Sequence, residues 1–408
     1  MTAREYPVFT VTPKAERSLR AGHPWVYGEE VTVVEGAYQN GDMVDVVSNK
    51  GRYLGTGWVN DHSKIRVRII SRNANDTFDE AFFRRRVCYA LNYRKTVMGP
   101  VDYRCCRLIF GEADQFPGLT VDRFENILVT QVLSLGMERR KDWVYRALVE
   151  LLREDGEQFD AIYERNDVTI RTLEGLEQGK GFYQMEGLRT DLSGHVTITE
   201  NGIKYDVDYI EGQKTGFFLD QKYNRQAAAK LARGRRVLDC FTHTGGFALN
   251  AAAAGGEHVT AVDVSAFALE LAAENGKRNG LTNLDYKCAD VFDLLTEMAK
   301  EKKCDYDYII LDPPAFTKSR ATAKNAYHGY KEINRKAMRL LPRGGYLATC
   351  SCSHFMTDEM FRKMLQEAAL DAGVTLRQIE ARQQAPDHPI LPGVPETDYL
   401  KFYLLQVV

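Results

Sequence analysis

The chain has 408 residues, of which 27% are charged and 44% hydrophobic, and its formal net charge is −2 at pH 7. This composition is typical of a soluble globular protein, and the length favours two or three domains. No apolar run approaches the roughly 18–20 residues that span a membrane, and the polar N-terminus is unlike a signal peptide, so we expect no membrane partner.

The eight cysteines are scattered along the chain. They form neither a C-x-x-C pair nor the spacing of a zinc site, so we predict no metal. Their pattern is typical of reduced thiols in a cytoplasmic protein.

Residues 1–72 alternate like short strands and are interrupted by glycines. The segments 44–47, 53–59 and 65–70 are predicted strands of a small β-barrel. The run Arg20-Ala-Gly-His-Pro-Trp-Val-Tyr27, with Gly41-Asp-Met-Val and Gly55-Thr-Gly-Trp, resembles a PUA domain, a β-barrel module that binds RNA. We therefore expect residues 1–72 to form an RNA-binding barrel.

Positive charge is concentrated after this point, with 11 Lys or Arg against 4 Asp or Glu between residues 64 and 107. Three of these cations alternate along one predicted strand and would face one side of it. They could meet phosphates, or they could be the solvated faces of a strand and a helix. The residues that we predict to bind RNA are Lys64, Arg66, Arg68, Arg84 and Arg85.

Residues 73–187 are predicted to form a small α+β domain. Residues 78–98 have the periodicity of an amphipathic helix, and 139–152 that of a second helix between predicted strands. Residues 168–170 are predicted as one of these strands. Residues 188–408 then form a third predicted domain, whose last strand covers 399–407.

The most informative stretch is a strand, glycine turn, helix and strand over residues 236–263. The first strand ends at Asp239, the turn runs from Thr242 to Gly246, and the second strand ends at Asp263. Ligands of such sheets lie outside the carboxyl ends of the strands, and an acid about 20 residues on can accept hydrogen bonds from a ribose. This unit predicts a nucleoside-containing cofactor.

The turn differs from the G-x-G-x-x-G of dinucleotide enzymes, and the difference predicts the cofactor. Asp239 would repel a pyrophosphate, which prefers backbone N–H groups, but it suits a cation. S-adenosylmethionine carries an ammonium and a sulfonium and no phosphate. The stretch resembles the cofactor motif of class I S-adenosylmethionine-dependent methyltransferases, and Asp290 ends a third strand where such enzymes hold the adenine.

Two further motifs carry chemistry. A predicted buried strand runs into Asp312-Pro-Pro-Ala-Phe316, and Asp-Pro-Pro followed by an aromatic residue is the signature of enzymes that methylate exocyclic amines. Here Ala315 stands at the aromatic position. The next strand ends in Cys350-Ser-Cys352, and a thiolate that adds to carbon 6 of a pyrimidine would activate carbon 5.

Taken end to end, the chain resembles the PUA-containing large-subunit ribosomal RNA cytosine-C5 methyltransferase family. The family motif maps onto Ser351-Cys352-Ser353 and Met356, so the resemblance implies that Cys352 is the nucleophile and Cys350 an additional thiol. Thr215-Gly-Phe-Phe-Leu-Asp-Gln221 is also family-like and would cap the methionine end of the cofactor. The implied fold is α/β, a Rossmann-like seven-stranded mixed sheet with the PUA-like barrel and an α+β middle domain.

The expected catalytic residues are Cys352, Asp312 and Cys350. The expected S-adenosylmethionine-binding residues are Phe218, Asp220, Gln221, Asp239, Thr242, Gly245, Phe247, Asp263, Val264, Ser265, Asp290, Val291, Phe292, Asp312 and Pro313. The expected partner is large-subunit ribosomal RNA, and a homodimer is one open alternative. Two other functions stay open: methylation of an exocyclic amine of guanine or adenine, and RNA binding by a methyltransferase fold that no longer reacts.

Overall fold

The computed structural model describes residues 5–301, 304–317 and 319–408; the first four residues of the predicted domain 1–72 lie outside this range. The chain divides into two compact units. The first consists of Met1–Ile198, Val207–Leu219 and Pro386–Thr397. The second consists of Thr199–Asp206, Asp220–Ala385 and Asp398–Val408.

The first unit begins with a six-stranded sheet. Its order is β2-β6-β5-β4-β1-β3, and the β1–β4 pair is parallel. Thr12 caps helix α1, whose buried Ala15 and Leu19 join the apolar core of this sheet. The elements are β1 (Val8–Val11), α1 (Pro13–Arg20), β2 (Trp25–Tyr27), β3 (Val31–Glu35), β4 (Met43–Ser48), β5 (Tyr53–Val59) and β6 (Ile65–Ser71).

The first unit continues with a five-stranded sheet of order β11-β10-β9-β8-β7. The prediction of a strand at residues 168–170 is wrong, because Thr169–Glu174 form a 3-10 helix that ends at Gly175 in the left-handed conformation. The elements are α2 (Glu80–Asp102), β7 (Cys105–Phe110), β8 (Leu119–Phe124), β9 (Ile127–Val132), α3 (Leu135–Glu138), α4 (Lys141–Glu154), β10 (Ala161–Asn166) and β11 (Gly179–Phe182).

The region with the six-stranded sheet packs against helix α3 of the region that follows. Trp58 of β5 is buried against Gly136, where an added Cβ would lie 1.9 Å from the indole Cγ. Only glycine fits there. The regions 1–72 and 73–187 therefore share one compact unit.

A hairpin, β12 (His195–Glu200) and β13 (Ile203–Asp208), precedes a seven-stranded sheet of order β16-β15-β14-β17-β18-β20-β19. Strand β20 is antiparallel to both of its neighbours, and the other pairs are parallel. The elements are α5 (Lys222–Ala229), β14 (Arg236–Cys240), α6 (Gly246–Ala253), β15 (His258–Asp263), α7 (Ala266–Arg278), β16 (Leu284–Cys288), α8 (Val291–Glu301), β17 (Tyr308–Leu311), α9 (Ala323–Leu340), β18 (Tyr346–Ser351), α10 (Asp358–Ala372), β19 (Leu376–Arg382) and β20 (Lys401–Val407).

The seven-stranded sheet carries an apolar cluster on each face. Its central strands, such as Tyr308–Leu311, are buried along their whole length, as expected of parallel strands covered by helices on both sides. The connections reverse direction between β14 and β17, and ligands of open α/β sheets bind at such a switch point. The predicted mixed sheet is confirmed.

Candidate active site

The turn from β14 into α6 holds Asp239 at the carboxyl end of its strand. The Thr242 hydroxyl donates to Asp239 Oδ2 at 2.6 Å, and the backbone N–H of Ala248 donates to the same oxygen at 2.9 Å. Gly245 has φ +88°, and a Cβ there would lie 1.9 Å from Leu249 Cδ1. The glycine that the sequence places in this turn is thus a steric requirement.

Asp239 has the properties of a cation-binding carboxylate. Its side chain is fully buried, and within the described chain its Oδ1 atom has no hydrogen-bond partner. Burial raises the pKa of Asp239 to about 7, the Asp312 and Asp263 carboxylates add to this rise, and the Thr242 and Ala248 donors oppose it. A buried carboxylate oxygen is costly unless a ligand satisfies it.

Asp263 and Asp290 lie at the ends of the next two strands, as predicted. Asp263 Oδ2 accepts from the His243 N–H and Oδ1 from the Ser265 N–H, both at 2.9 Å. These bonds fix the plane of the carboxylate. Asp290 Oδ1 accepts from the Phe292 and Asp293 N–H groups at the start of α8, at 2.7 and 3.2 Å.

Asp312 follows β17, next to β14. Gln221 Nε2 donates to Asp312 Oδ1 at 3.0 Å, and the Gln221 oxygen accepts from Asn224 Nδ2 at 2.7 Å. Burial raises the pKa of Asp312 to about 6, while Arg225 opposes the rise. Asp220 is held separately, because the Tyr399 hydroxyl donates to its Oδ2 at 2.6 Å. Pro313 is buried beside these groups.

The two cysteines occupy different environments. Cys350 lies within β18 and is fully buried. Burial raises its pKa well above the ordinary value, and the Asp312 carboxylate raises it further. Cys352 follows the last residue of β18, is half-buried, and has its Sγ 4.0 Å from the Pro313 carbonyl oxygen.

Four more of the expected cofactor residues differ in their surroundings. Phe247 is buried and stacks on Phe402 with centroids 6.2 Å apart, because it is on the inner face of α6. Val291 is buried in the core, whereas Val264 is 73% exposed. Phe218 belongs to the first unit, where Lys214 Nζ lies 4.9 Å from its ring centroid.

The basic residues of β6 make ion pairs. Arg68 is buried, and its guanidinium donates to Glu174 at 2.7 Å, with Glu112 at 3.5 Å. Arg66 donates to Asp61 at 2.8 Å and to the Tyr38 hydroxyl at 2.9 Å. Arg68 was predicted to bind RNA, and in the structure its side chain is buried and paired with Glu174.

Lys64, Arg84 and Arg85 remain accessible. Lys64 and Arg85 are exposed. Arg84 pairs with Glu154 at 2.7 Å on the surface, and Arg85 approaches Asp76 at 3.5 Å. Such exposed ion pairs contribute little to stability, so these arginines could bind other anions at little cost.

Arg225, on α5, is buried. Its guanidinium donates to the fully buried Glu200 at 2.6 Å. Lys401, at the start of β20, was not predicted from the sequence as a functional residue. A lysine heading an apolar strand, Lys-Phe-Tyr-Leu-Leu, is the signal that could have drawn attention to it.

The Asp239 carboxylate suits a cationic adenosyl cofactor better than one with a pyrophosphate. The pyrophosphate of a dinucleotide would meet like charge at this turn, whereas the ammonium of S-adenosylmethionine would satisfy the orphaned oxygen. Asp263 would hold the ribose and Asp290 the adenine. Fold and carboxylate together define a class I S-adenosylmethionine-dependent methyltransferase.

Comparison with known proteins agrees. Residues 183–405 match the S-adenosylmethionine-dependent methyltransferase family, and residues 9–72 match the PUA-like domain. The chain belongs to the methyltransferase family that includes the proteins named ribosomal RNA large subunit methyltransferase I. The one from Shewanella denitrificans is 43% identical over 97% of this chain and 98% of its own. That from Pseudoalteromonas atlantica is 40% identical over 98% and 99%.

Solved structures support the fold. A methyltransferase from Streptococcus mutans covers 98% of this chain and 100% of its own, with a TM-score of 0.81 and 22% identity. A methyltransferase complexed with SAH gives a TM-score of 0.82 over the same shares, also at 22% identity. The predicted fold class, PUA-like domain and cofactor are thus confirmed.

Proposed function

We propose that this protein uses S-adenosylmethionine to methylate carbon 5 of a cytosine in large-subunit ribosomal RNA, with Cys352 as the nucleophile. The relatives named above, 40–43% identical over nearly the whole chain, support the RNA substrate. The PUA-like region and the exposed cations of residues 64–85 are suited to bind it. An RNA substrate of this kind would place the enzyme in the cytoplasm.

The observation that carries the chemistry is the contrast between the two thiols. Carbon 5 of cytosine is a poor nucleophile until a thiolate adds to carbon 6. Cys350 is fully buried and its pKa is raised well above the ordinary value by burial, so it makes a poor nucleophile. Cys352 stands beyond the strand end, half-buried, beside the Asp312-Pro313 turn.

The proposed reaction has three steps. The Cys352 thiolate bonds carbon 6, and the electron pair of the 5,6 double bond moves toward carbon 5. Carbon 5 would use this pair to bond the methyl carbon of S-adenosylmethionine, whose methyl–sulfur bond would break with its electron pair going to sulfur, so that S-adenosylhomocysteine leaves. A base removes the carbon 5 proton, the C–H pair restores the double bond, and the thiolate leaves carbon 6.

Residues of this chain have defined tasks in that scheme. Asp239 would bind the cofactor's ammonium and Asp263 its ribose. Asp312, held by Gln221, and the rigid Pro313 turn would orient the cytosine beside Cys352. We also propose three domains, each with its own role. Residues 1–72 bind RNA, residues 73–187 support the fold, and residues 188–408 catalyse the reaction.

A trapping experiment tests the proposal. Ribosomal RNA with 5-fluorocytosine at the target should form a covalent adduct with the wild-type enzyme, because fluorine cannot leave as a proton does. The adduct should survive a denaturing gel, vanish in Cys352→Ala and persist in Cys350→Ala. Both variants should bind cofactor with unchanged affinity.

Loss of the adduct in Cys350→Ala alone would assign the nucleophile to the earlier thiol. If neither variant loses methylation and no adduct forms, the covalent route fails. The Asp312-Pro-Pro motif then favours methylation of an exocyclic amine. Phe316 is half-buried near it, 5.8 Å from Phe292 and 4.5 Å from Tyr330 between centroids, and would replace the ring that Ala315 lacks. Mass spectrometry of the product nucleoside separates carbon from nitrogen methylation.

A further inference from the structure

Lys401 is a buried lysine that the proposed reaction does not yet use. It begins β20, directly opposite Ser351 in the β18–β20 register, and is 4% exposed. Its Nζ donates to the Ser353 carbonyl at 2.6 Å and to the Tyr399 carbonyl at 2.8 Å. The residues immediately before and after Cys352 are therefore both held by Lys401.

The described hydrogen bonds of Lys401 go to carbonyl dipoles, which leaves its charge poorly compensated. Burial lowers the pKa of Lys401 to about 8, so the side chain is largely charged at neutral pH. Among the anions that oppose this lowering, Cys352 has the largest influence, followed by Asp398 and Asp358. Asp358 already accepts from the Tyr403 hydroxyl, and Asp398 accepts from Gln383. A buried ammonium is expensive unless an anion meets it.

Among the described residues, the titratable side chains of Tyr330, Cys350 and Lys401 lie close enough to Cys352 for its charge to shift their pKa values. Burial raises the pKa of Tyr330 and of Cys350, so both are neutral at pH 7. The carboxylate of Asp312 acts on both of these neutral groups and disfavours negative charge nearby. Of this set, Lys401 alone carries a positive charge.

We propose that Lys401 is a positioning residue that stabilises the thiolate of Cys352 and holds the loop after β18. The inference deepens the proposed function and rests on it. Coupling between two titrating groups is reciprocal. If the thiolate favours the ammonium, the ammonium favours the thiolate to the same extent. Lys401 therefore keeps Cys352 reactive near neutral pH, and the effect fades as Lys401 loses its proton at higher pH.

The pH dependence of alkylation tests this on the full chain, without RNA or cofactor. Iodoacetamide labelling of the peptide that contains Cys352 is followed by mass spectrometry between pH 5 and 10. In Lys401→Gln, which keeps N–H donors for the two carbonyls but removes the charge, the midpoint should rise by about one pH unit or more. In Lys401→Arg, which keeps the charge, it should stay close to the wild-type value. The exposed Cys288 serves as internal control and should not shift.

An unchanged Cys352 midpoint in Lys401→Gln overturns the proposal. So does an equal shift in Lys401→Arg, since only the loop geometry would then matter. If Lys401→Gln does not fold, Lys401→Met and the Arg variant carry the same comparison. The labelling does not require methylation, so its failure is distinguishable from failure of the trapping experiment, which tests the reaction itself.

Discussion

The carboxyl end of the seven-stranded sheet and the basic stretch at residues 64–86 both contain charged residues that the sequence indicates as functional. At the sheet end, Asp239, Asp263 and Asp312 converge, and burial leaves one oxygen of Asp239 without a partner in the described chain. In the basic stretch, Arg68 is buried in an ion pair and Arg66 is paired with Asp61.

The difference lies in what fixes each position. An acid at the end of a parallel strand is carried to the sheet edge by the backbone, whatever the rest of the chain does. A cation on a strand face meets whatever packs on that face, and for Arg68 this is Glu174, 106 positions later. Strand-end acids could thus be predicted from spacing, whereas the partners of the arginines depend on tertiary packing.

The largest expected difference between buried and exposed charges is in the free energy of unfolding. Arg68→Ala would leave Glu174, itself 3% exposed, as an unpaired buried charge. Removing one partner of a buried pair costs about 3–5 kcal/mol of the free energy of unfolding. Arg84→Ala breaks a surface pair and should cost about 0–1 kcal/mol. Urea denaturation measures both losses of stability. Equal losses would show that the Arg68–Glu174 pair contributes no more than a surface pair, and Arg68 would again be a candidate for RNA binding.

The next effect concerns the sheet end. Asp263→Ala should weaken S-adenosylmethionine binding by about 1.5–3 kcal/mol, the range for a hydrogen bond to a charged group. Asp285→Ala, an exposed acid within β16, is the matched control and should leave the affinity unchanged. Calorimetric titration gives both values. An unaffected Asp263→Ala variant would remove this strand end from the cofactor site.

A smaller effect is the pH dependence that Asp239 predicts. Burial raises its pKa to about 7, so below pH 7 the folded protein holds a neutral acid where the cofactor's ammonium needs a carboxylate. Affinity should therefore fall by up to about tenfold per pH unit below 7, and binding should release a proton. The Asp239→Asn variant should bind the cofactor weakly, and its affinity should not depend on pH in this range. Calorimetry in two buffers of different ionisation enthalpy measures the number of protons released on binding.

The same raised pKa has a consequence for the protein without cofactor. The folded state binds this proton more tightly than the unfolded chain does. Its contribution to stability is therefore complete below about pH 4, the ordinary value for an aspartate, and is lost as the pH rises to about 7. A denaturation series over this range should decline more steeply for the wild-type protein than for Asp239→Asn.

Sequence alone predicted strands of the seven-stranded mixed sheet and the acids at their ends, because strand, glycine turn and helix are local patterns. It did not separate Cys350 from Cys352 in burial, since one residue decides where β18 ends. It also did not predict that the ring of Phe247 stacks on Phe402, since that contact depends on tertiary packing. Lys401 is near Cys352 only through the β18–β20 pairing, which no local pattern contains.

The smallest effect tests what remains of the basic stretch. If Arg84 and Arg85 contact phosphates, replacing both by Gln should change how the affinity for a ribosomal RNA fragment depends on salt. The slope of log affinity against log salt should fall by about 1–2, because each phosphate contact contributes roughly 0.7–0.9 to it. Their partners on this surface are exposed carboxylates, which a phosphate can displace at little cost. Lys277→Gln with Arg278→Gln changes the net charge equally on another helix and should leave the slope unchanged. Equal slopes in both double variants would make the effect one of overall charge, and the arginines would then be solvated surface residues like any others.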